Sequence, residues 1–304
     1  MIYALFDERG GLDRAAMKRQ IEVCIDQGAV GVVALGLATE VRFLTKEMQL
    51  QIIEWCAADI AGRVPFGVTV FAETAEELRS RTIAATAAGA DWVIMQPPAD
   101  AKDEAHLRRS FELALADLKE PVALQNMPQF IGVGLSVGMI TELAARHENL
   151  IAIKQEVSAV ETAELVQRLE GRAQVLSGRG GIELVDCMAG GVSGHIPAPE
   201  YADFLVTLWK QKQAGHDREA MEIYSRYLPL ATFILQSVET LTTYGKLLFC
   251  LRYGIDFHQR PHAEKPTLQG VQFLTAHAQW AGIDTDGWAP RIGSILELGN
   301  LVHR

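Results

Sequence analysis

Lys154 closes the apolar run Leu150-Ile151-Ala152-Ile153, an arrangement that brings an amine out of a dry element at its end. An ammonium is costly to bury, and a neutral amine is what attack on a ketone carbon requires. The alternative is a lysine whose head reaches solvent from a strand end. The other eight lysines fall in helix-like or connecting segments. Glu156, two residues on, is a second ionisable group whose direction the sequence leaves open. His195, directly after Gly194, is either a general acid or base or a strand-end histidine held by a backbone carbonyl. Arg179 either supplies charge to a distal hydroxyl or carboxylate of a substrate or is a solvated surface residue. The eight histidines show no H-x-H or H-E-x-x-H spacing, and Pro261 separates His258 from His262. A metal-dependent aldolase needs convergent ligands, so neither metal nor cofactor is expected.

The elements that position these residues repeat along the chain. Apolar runs at residues 2–5, 30–35, 65–70, 92–95, 122–125, 151–154, 174–177 and 192–196 are each followed by a turn cluster and then an amphipathic stretch. Runs without alternation suit strands buried on both faces, as in parallel sheets. Helix patterns lie at 13–27, 46–60, 74–88, 104–118 and 158–169, and Thr74-Ala75-Glu76-Glu77 and Ser158-Ala159-Val160-Glu161 read as capping boxes. Eight strand–helix units in a row predict an α/β fold, a (β/α)₈ TIM barrel with a C-terminal helical extension. The rival, an open doubly wound sheet, lacks its G-x-G-x-x-G turn here. Gly178-Arg179-Gly180-Gly181 has a different spacing and reads as a tight strand-to-helix turn. After residue 213 the strand pattern stops, and 217–236, 241–253, 268–281 and 291–302 read as helices, with Pro229 expected to kink or break the first. The expected organisation is a barrel over 1–213 and a helical appendage over 214–304. In such a barrel the chemistry sits at the C-terminal strand ends, where Gln125-Asn126, Lys154, Arg179 and His195 fall.

Composition narrows the partners. The 304 residues are 49% hydrophobic and 22% charged, with a formal net charge of −10. No positive stripe for nucleic acid is visible, and no apolar run approaches the roughly 20 residues that cross a membrane. The N-terminus carries no signal-peptide pattern. Cys24, Cys56, Cys187 and Cys250 form no C-x-x-C pair and read as buried apolar residues in a reducing, cytoplasmic setting.

Several segments carry a resemblance. Ala34-Leu35-Gly36-Leu37-Ala38-Thr39-Glu40 with Leu44-Thr45, Gln125-Asn126-Met127-Pro128, Ile151-Ala152-Ile153-Lys154, Leu176-Ser177-Gly178 and Gly190-Gly191-Val192-Ser193-Gly194 occur in order. Together they resemble the G-T-T-G-E…L-T, Y-N-x-P, I-x-G-x-K, S-G and G-x-x-G landmarks of the dihydrodipicolinate synthase/N-acetylneuraminate lyase family. The resemblance implies that Lys154 forms a Schiff base with pyruvate or a longer 2-oxo acid, and that the iminium is an electron sink for cleavage, condensation or dehydration. It assigns the substrate carboxylate to the backbone N–H groups of Leu37 and Ala38, with Thr39 beside them. It also implies a homodimer or homotetramer.

The departures from that pattern matter as much. Gln125 stands where the family has a proton-relaying tyrosine, and a glutamine does not titrate. Phe130 stands where the synthases have an arginine for their second, amino-dicarboxylic substrate. Pro97-Pro98-Ala99 lacks aromatic hydroxyls. The Gln-Asn-x-Pro form, together with Leu228-Pro229-Leu230 and Gly245-Lys246, resembles the branch that dehydrates or cleaves 2-keto-3-deoxy sugar acids, such as 2-keto-3-deoxyarabonate dehydratases. The expected function is therefore a Schiff-base lyase of that type, with Lys154, Gln125 and His195 catalytic. Gln125 and Asn126 are expected to orient substrate hydroxyls, and Arg179 to bind the distal end. The alternatives are pyruvate condensation of the synthase type and a non-catalytic barrel that binds 2-oxo acids.

Overall fold

The computed structural model describes residues 1–301. Among them, seven strands form one sheet in the order β1 to β7, every neighbouring pair parallel. They are β1 (Val32–Ala34), β2 (Phe66–Val70), β3 (Trp92–Met95), β4 (Val122–Asn126), β5 (Leu150–Gln155), β6 (Gln174–Ser177) and β7 (Gly194–His195). The interiors of β2 to β6 explain why: Val68, Val93, Leu124, Ile153 and Val175 are all buried, which is what continuous apolar runs predict for a sheet covered on its faces. Helices Lys46–Ile60, Ala75–Ala87, Glu104–Leu115, Val137–Arg146 and Ala159–Leu169 follow β1 to β5 in turn. Each buries a leucine or isoleucine completely: Ile52, Leu78, Leu107, Leu143 and Leu165. Burial of such a side chain stabilises by about 1.5–3 kcal/mol.

The helix starts are written locally. Thr74 Oγ1 accepts from Glu77 N at 3.3 Å and Ser158 Oγ from Glu161 N at 3.2 Å. Each expected capping box is half made. Glu77 reaches back to Glu73 N instead of Thr74 N, and Glu161 accepts from the Ser158 hydroxyl.

Tertiary contacts divide the chain into two compact units. One comprises residues 31–36 and 45–197 and holds the whole sheet. The other comprises 1–30, 37–44 and the chain from 198 onward.

The second unit corrects the expected first strand. Residues 2–5 are fully buried but join no strand ladder; Phe6 alone makes an isolated antiparallel bridge, to Leu12. Side chains take the backbone groups that a ladder would use. Gln20 Oε1 accepts from Tyr3 N at 2.8 Å while Gln20 Nε2 donates to Tyr3 O at 3.0 Å. Met17 Sδ accepts from Leu5 N, and Thr39 Oγ1 donates to Ile2 O. An apolar run thus satisfies its polar backbone without a neighbouring strand.

The helix expected at 217–236 runs as Asp217–Ile234 and continues through Pro229. The missing N–H costs stability, but Tyr227, Leu230, Ala231 and Ile234 are all completely buried on this helix, so packing holds it together. The segment expected at 241–253 begins with a π-turn, Leu241–Gly245, and continues as Lys246–Tyr253. A Cβ at Gly245 would overlap the Tyr3 hydroxyl, which itself donates to Glu200 Oε2 at 2.7 Å. Burial pushes the Glu200 carboxyl up to about 7, against the pull of the Tyr3 hydrogen bond. Leu268–Ala281 matches its expected bounds, and the last helix is Trp288–Leu301; Val302, expected to end it, lies outside the described residues. No helix among the described residues is long and apolar enough to cross a membrane. Cys24, Cys56, Cys187 and Cys250 are all buried.

Lys246 is completely buried against Glu40, which also accepts from Arg260 Nε at 2.8 Å. Burial pulls the Lys246 amine down, and Glu40 opposes that pull. Removing one partner of a buried pair leaves the other uncompensated. Lys246→Met is therefore expected to lower unfolding stability by about 3 kcal/mol, the low end of the usual range because Arg260 remains. Denaturant titration checks this, and the double variant Lys246→Met/Glu40→Gln is expected to recover part of the loss.

Candidate active site

All seven strands are parallel, so their C-terminal ends gather at one edge of the sheet. Lys154 is the penultimate residue of β5, level with Gln125 of β4. Met95 is level with Leu124, which puts Gln96, the next residue, beside Gln125. Strand alternation sends Thr69, Gln96, Gln125, Lys154 and Glu156 to one face.

These side chains form a continuous polar chain. Lys154 Nζ lies 3.1 Å from Glu156 Oε1, with each side chain 8% exposed. Glu156 Oε2 accepts from Gln125 Nε2, and Gln125 Oε1 accepts from Gln96 Nε2 at 3.1 Å. Arg179 N donates to Glu156 Oε1 at 3.4 Å. The Glu156 side chain fits only because residue 178 is glycine: a Cβ there would overlap its carboxylate. The Ser177-Gly178 turn thus makes room for an acid.

An amine and a carboxylate in contact and out of water can pass a proton between them. Gln125 has no titratable group, but its amide donates to the Glu156 carboxylate and holds it in place.

The remaining expected residues sit differently. Asn126 and Gln155 are register partners on the opposite face. The Asn126 amide donates to Leu135 O and Gln155 Oε1, both at 3.1 Å, and accepts from Leu135 N at 3.0 Å. Its hydrogen-bonding capacity is spent on the loop that follows β4. His195 is level with Ser177 and Gln155, out of step with Lys154. Ser177 Oγ lies 2.8 Å from His195 Nδ1, while His195 Nε2 is buried with no hydrogen-bond partner among the described residues. Burial, aided by the Lys154 charge, pushes His195 down to about 3. His195 is uncharged at neutral pH and carries no proton to donate as an imidazolium.

Arg179 adopts a left-handed backbone (φ 56°) and pairs with Glu183 at 3.0 Å. Burial pushes the Glu183 carboxyl up, and the Arg179 guanidinium opposes it. In the other unit, Glu40 N closes a turn on Leu37 O at 3.0 Å. Ala38 and Thr39 are buried there, and Thr39 Oγ1 is held by Ile2 O at 2.6 Å. The Phe130 side chain lies outside the described residues. No group of three or more His, Cys, Asp or Glu able to hold a metal ion occurs among the described residues.

Glu156 and Gln96 are the residues that the expected site underweights or omits. For Glu156 the available signal was its i+2 spacing from Lys154, which places both on one face of a strand. For Gln96 the local signal was its place directly after the apolar run 92–95, at a C-terminal strand end; only the register of β3 with β4 puts it beside Gln125.

A model described as the dihydrodipicolinate synthetase family matches residues 1–262. The chain belongs to that family. Members of the dihydrodipicolinate synthetase family are class I lyases and synthases that use a lysine Schiff base with pyruvate, and this chain is an enzyme of that class. The 4-hydroxy-tetrahydrodipicolinate synthase of Methanosphaerula palustris is 27% identical over 228 residues, covering 74% of this chain and 78% of that protein. Among solved structures, a dihydrodipicolinate synthase from Rhodopseudomonas palustris superposes with a TM-score of 0.85 at 21% identity, covering 92% of this chain and 95% of its own. The chloride-inhibited enzyme from Acinetobacter baumannii, solved with pyruvate, gives 0.85 at 22% identity, covering 93% and 97%. The seven parallel strands with their helices share the fold of these structures.

Proposed function

We propose that Lys154 forms a Schiff base with pyruvate or a related 2-oxo acid and that Glu156 moves the protons. The observation that carries this is the buried contact between the two at the end of β5. Glu156 takes a proton from Nζ, Nζ adds to the C2 carbonyl, Glu156 returns that proton to the departing hydroxyl so that it leaves as water, and an iminium remains. Glu156 takes a proton from C3, and the electron pair moves to the iminium nitrogen as an enamine. The resemblance assigns the carboxylate to the backbone of Leu37 and Ala38, with Thr39, and that assignment belongs to the proposal. So do the division into a barrel over 1–213 and an appendage over 214–304, a homodimer or homotetramer, and a cytoplasmic location.

Two fates of the enamine remain. In condensation its C3 attacks an aldehyde carbon. The names of the relatives back this synthase-type reading better than the sugar-acid one. In the second reading the substrate is a 2-keto-3-deoxy sugar acid whose C4 hydroxyl leaves from the enamine; in the retro-aldol direction the C4 hydroxyl of the iminium instead loses its proton and the C3–C4 bond breaks to release an aldehyde and give the enamine. The specific observation on its side is Gln125, which does not titrate as a tyrosine would and instead donates to the Glu156 carboxylate.

Borohydride reduction in the presence of pyruvate, read by intact and peptide mass spectrometry, is expected to place the adduct on Lys154. No adduct with pyruvate or longer 2-oxo acids would shift the reading to a non-catalytic binding protein. Product analysis then separates the fates. Pyruvate with an amino-dicarboxylic aldehyde gives a condensation product in the first reading. A 2-keto-3-deoxypentonate loses water or splits in the second.

A further inference from the structure

Two buried polar atoms on the Lys154 face have no hydrogen-bond partner among the described residues: Thr69 Oγ1 and Gln96 Oε1. Thr69 is 2% exposed and Gln96 1%. Such atoms are costly to leave unpaired in a protein interior. Thr69 is the penultimate residue of β2 and level with Ile94 of β3, so Gln96 is its diagonal neighbour on the adjacent strand, and Gln96 N donates to Val70 O at 3.0 Å.

The orientation of Gln96 follows from the chain it ends. Glu156 is a carboxylate and accepts, so Gln125 must donate Nε2 to it and present Oε1. Gln96 must then donate Nε2 to Gln125. What Gln96 has left toward its neighbour Thr69 is an acceptor only. Thr69 offers a hydroxyl that both donates and accepts.

We propose that Thr69 and Gln96 form a recognition site for a neutral hydroxyl on the carbon chain of the 2-oxo acid, beyond the keto group. A substrate hydroxyl donates to Gln96 Oε1 and accepts from Thr69 Oγ1, satisfying both. An ammonium cannot accept from Thr69, and a carboxylate is repelled by Gln96 Oε1. The site therefore selects hydroxylated 2-oxo acids over their deoxy analogues of equal length. This rests on the Schiff-base reading of Lys154 and adds the substrate class.

The test uses 4-hydroxy-2-oxobutyrate against 2-oxobutyrate, and 2-keto-3-deoxypentonate against 2-oxopentanoate, in competitive borohydride trapping. Each adduct is normalised to the pyruvate adduct of the same variant. The unsubstituted protein is expected to prefer the hydroxylated member of at least one pair by about 10-fold or more. Thr69→Val keeps the shape and removes the hydroxyl, and is expected to bring that preference near unity, with Thr69→Ser restoring it. Gln96→Met is expected to lose it as well. A pyruvate adduct with no preference in the unsubstituted protein, or a preference that survives both Thr69→Val and Gln96→Met, overturns this inference and leaves the Schiff base standing. No adduct with any 2-oxo acid overturns the Schiff base, and the hydroxyl site with it.

Discussion

Lys154→Ala is expected to abolish labelling by pyruvate and borohydride and to lower turnover by on the order of 10⁴-fold or more, because nothing else in the site can form the covalent intermediate. The other buried lysine among the described residues, Lys246, is committed to Glu40 and is not expected to substitute. Alanine also leaves Glu156 buried without its cation, which destabilises the fold, so activity must be read beside the unfolding midpoint. Lys154→Met fills more of the space and Lys154→Arg keeps a charge against Glu156. Neither offers an amine that can condense with a ketone. If any of the three retains an adduct or substantial turnover while folded, Lys154 is not the nucleophile.

Glu156→Gln separates proton transfer from covalent attachment. The variant keeps the length of the side chain but removes the base. In deuterated water the unsubstituted protein is expected to exchange the C3 protons of pyruvate through the enamine, visible as loss of the methyl proton signal by NMR. Glu156→Gln is expected to slow that exchange by about 10²- to 10⁴-fold, equivalent to about 3–5 kcal/mol in the barrier, while still giving a reduced adduct on Lys154 over longer times. Exchange at an unchanged rate would remove Glu156 from the mechanism and turn attention to Glu183, the acid paired with Arg179 just after β6. His195 is a poor replacement. It is neutral, out of step with Lys154 along the strands, and bonded to Ser177.

Local pattern carried much of the architecture. Unbroken apolar runs marked the cores of β1 to β7, and helices such as Lys46–Ile60 and Leu268–Ala281 match their expected bounds. Both kinds of element arise from short-range preferences, burial on two faces for one and 3.6-residue periodicity with a side-chain cap for the other. Residues 2–5 show the limit of that reasoning. Their composition is that of a strand, yet Gln20 and Thr39, distant in sequence, hold their backbone instead. Pro229 shows the reverse case, a local breaker overridden by a completely buried helix face.

The site divides in the same way. By itself, the sequence determined that one lysine leaves a dry strand at the end where such folds do chemistry, and its motifs determined the family. Only the tertiary structure decided which groups meet that lysine. The register of β3, β4 and β5 aligns Gln96, Gln125 and Lys154, and the extension of β5 to Gln155 turns Glu156 back onto the same face. The same register sets Asn126 and His195 on the other. A strand's two faces differ by a single residue of register, and register is fixed by pairing between segments that the sequence holds some 30 residues apart.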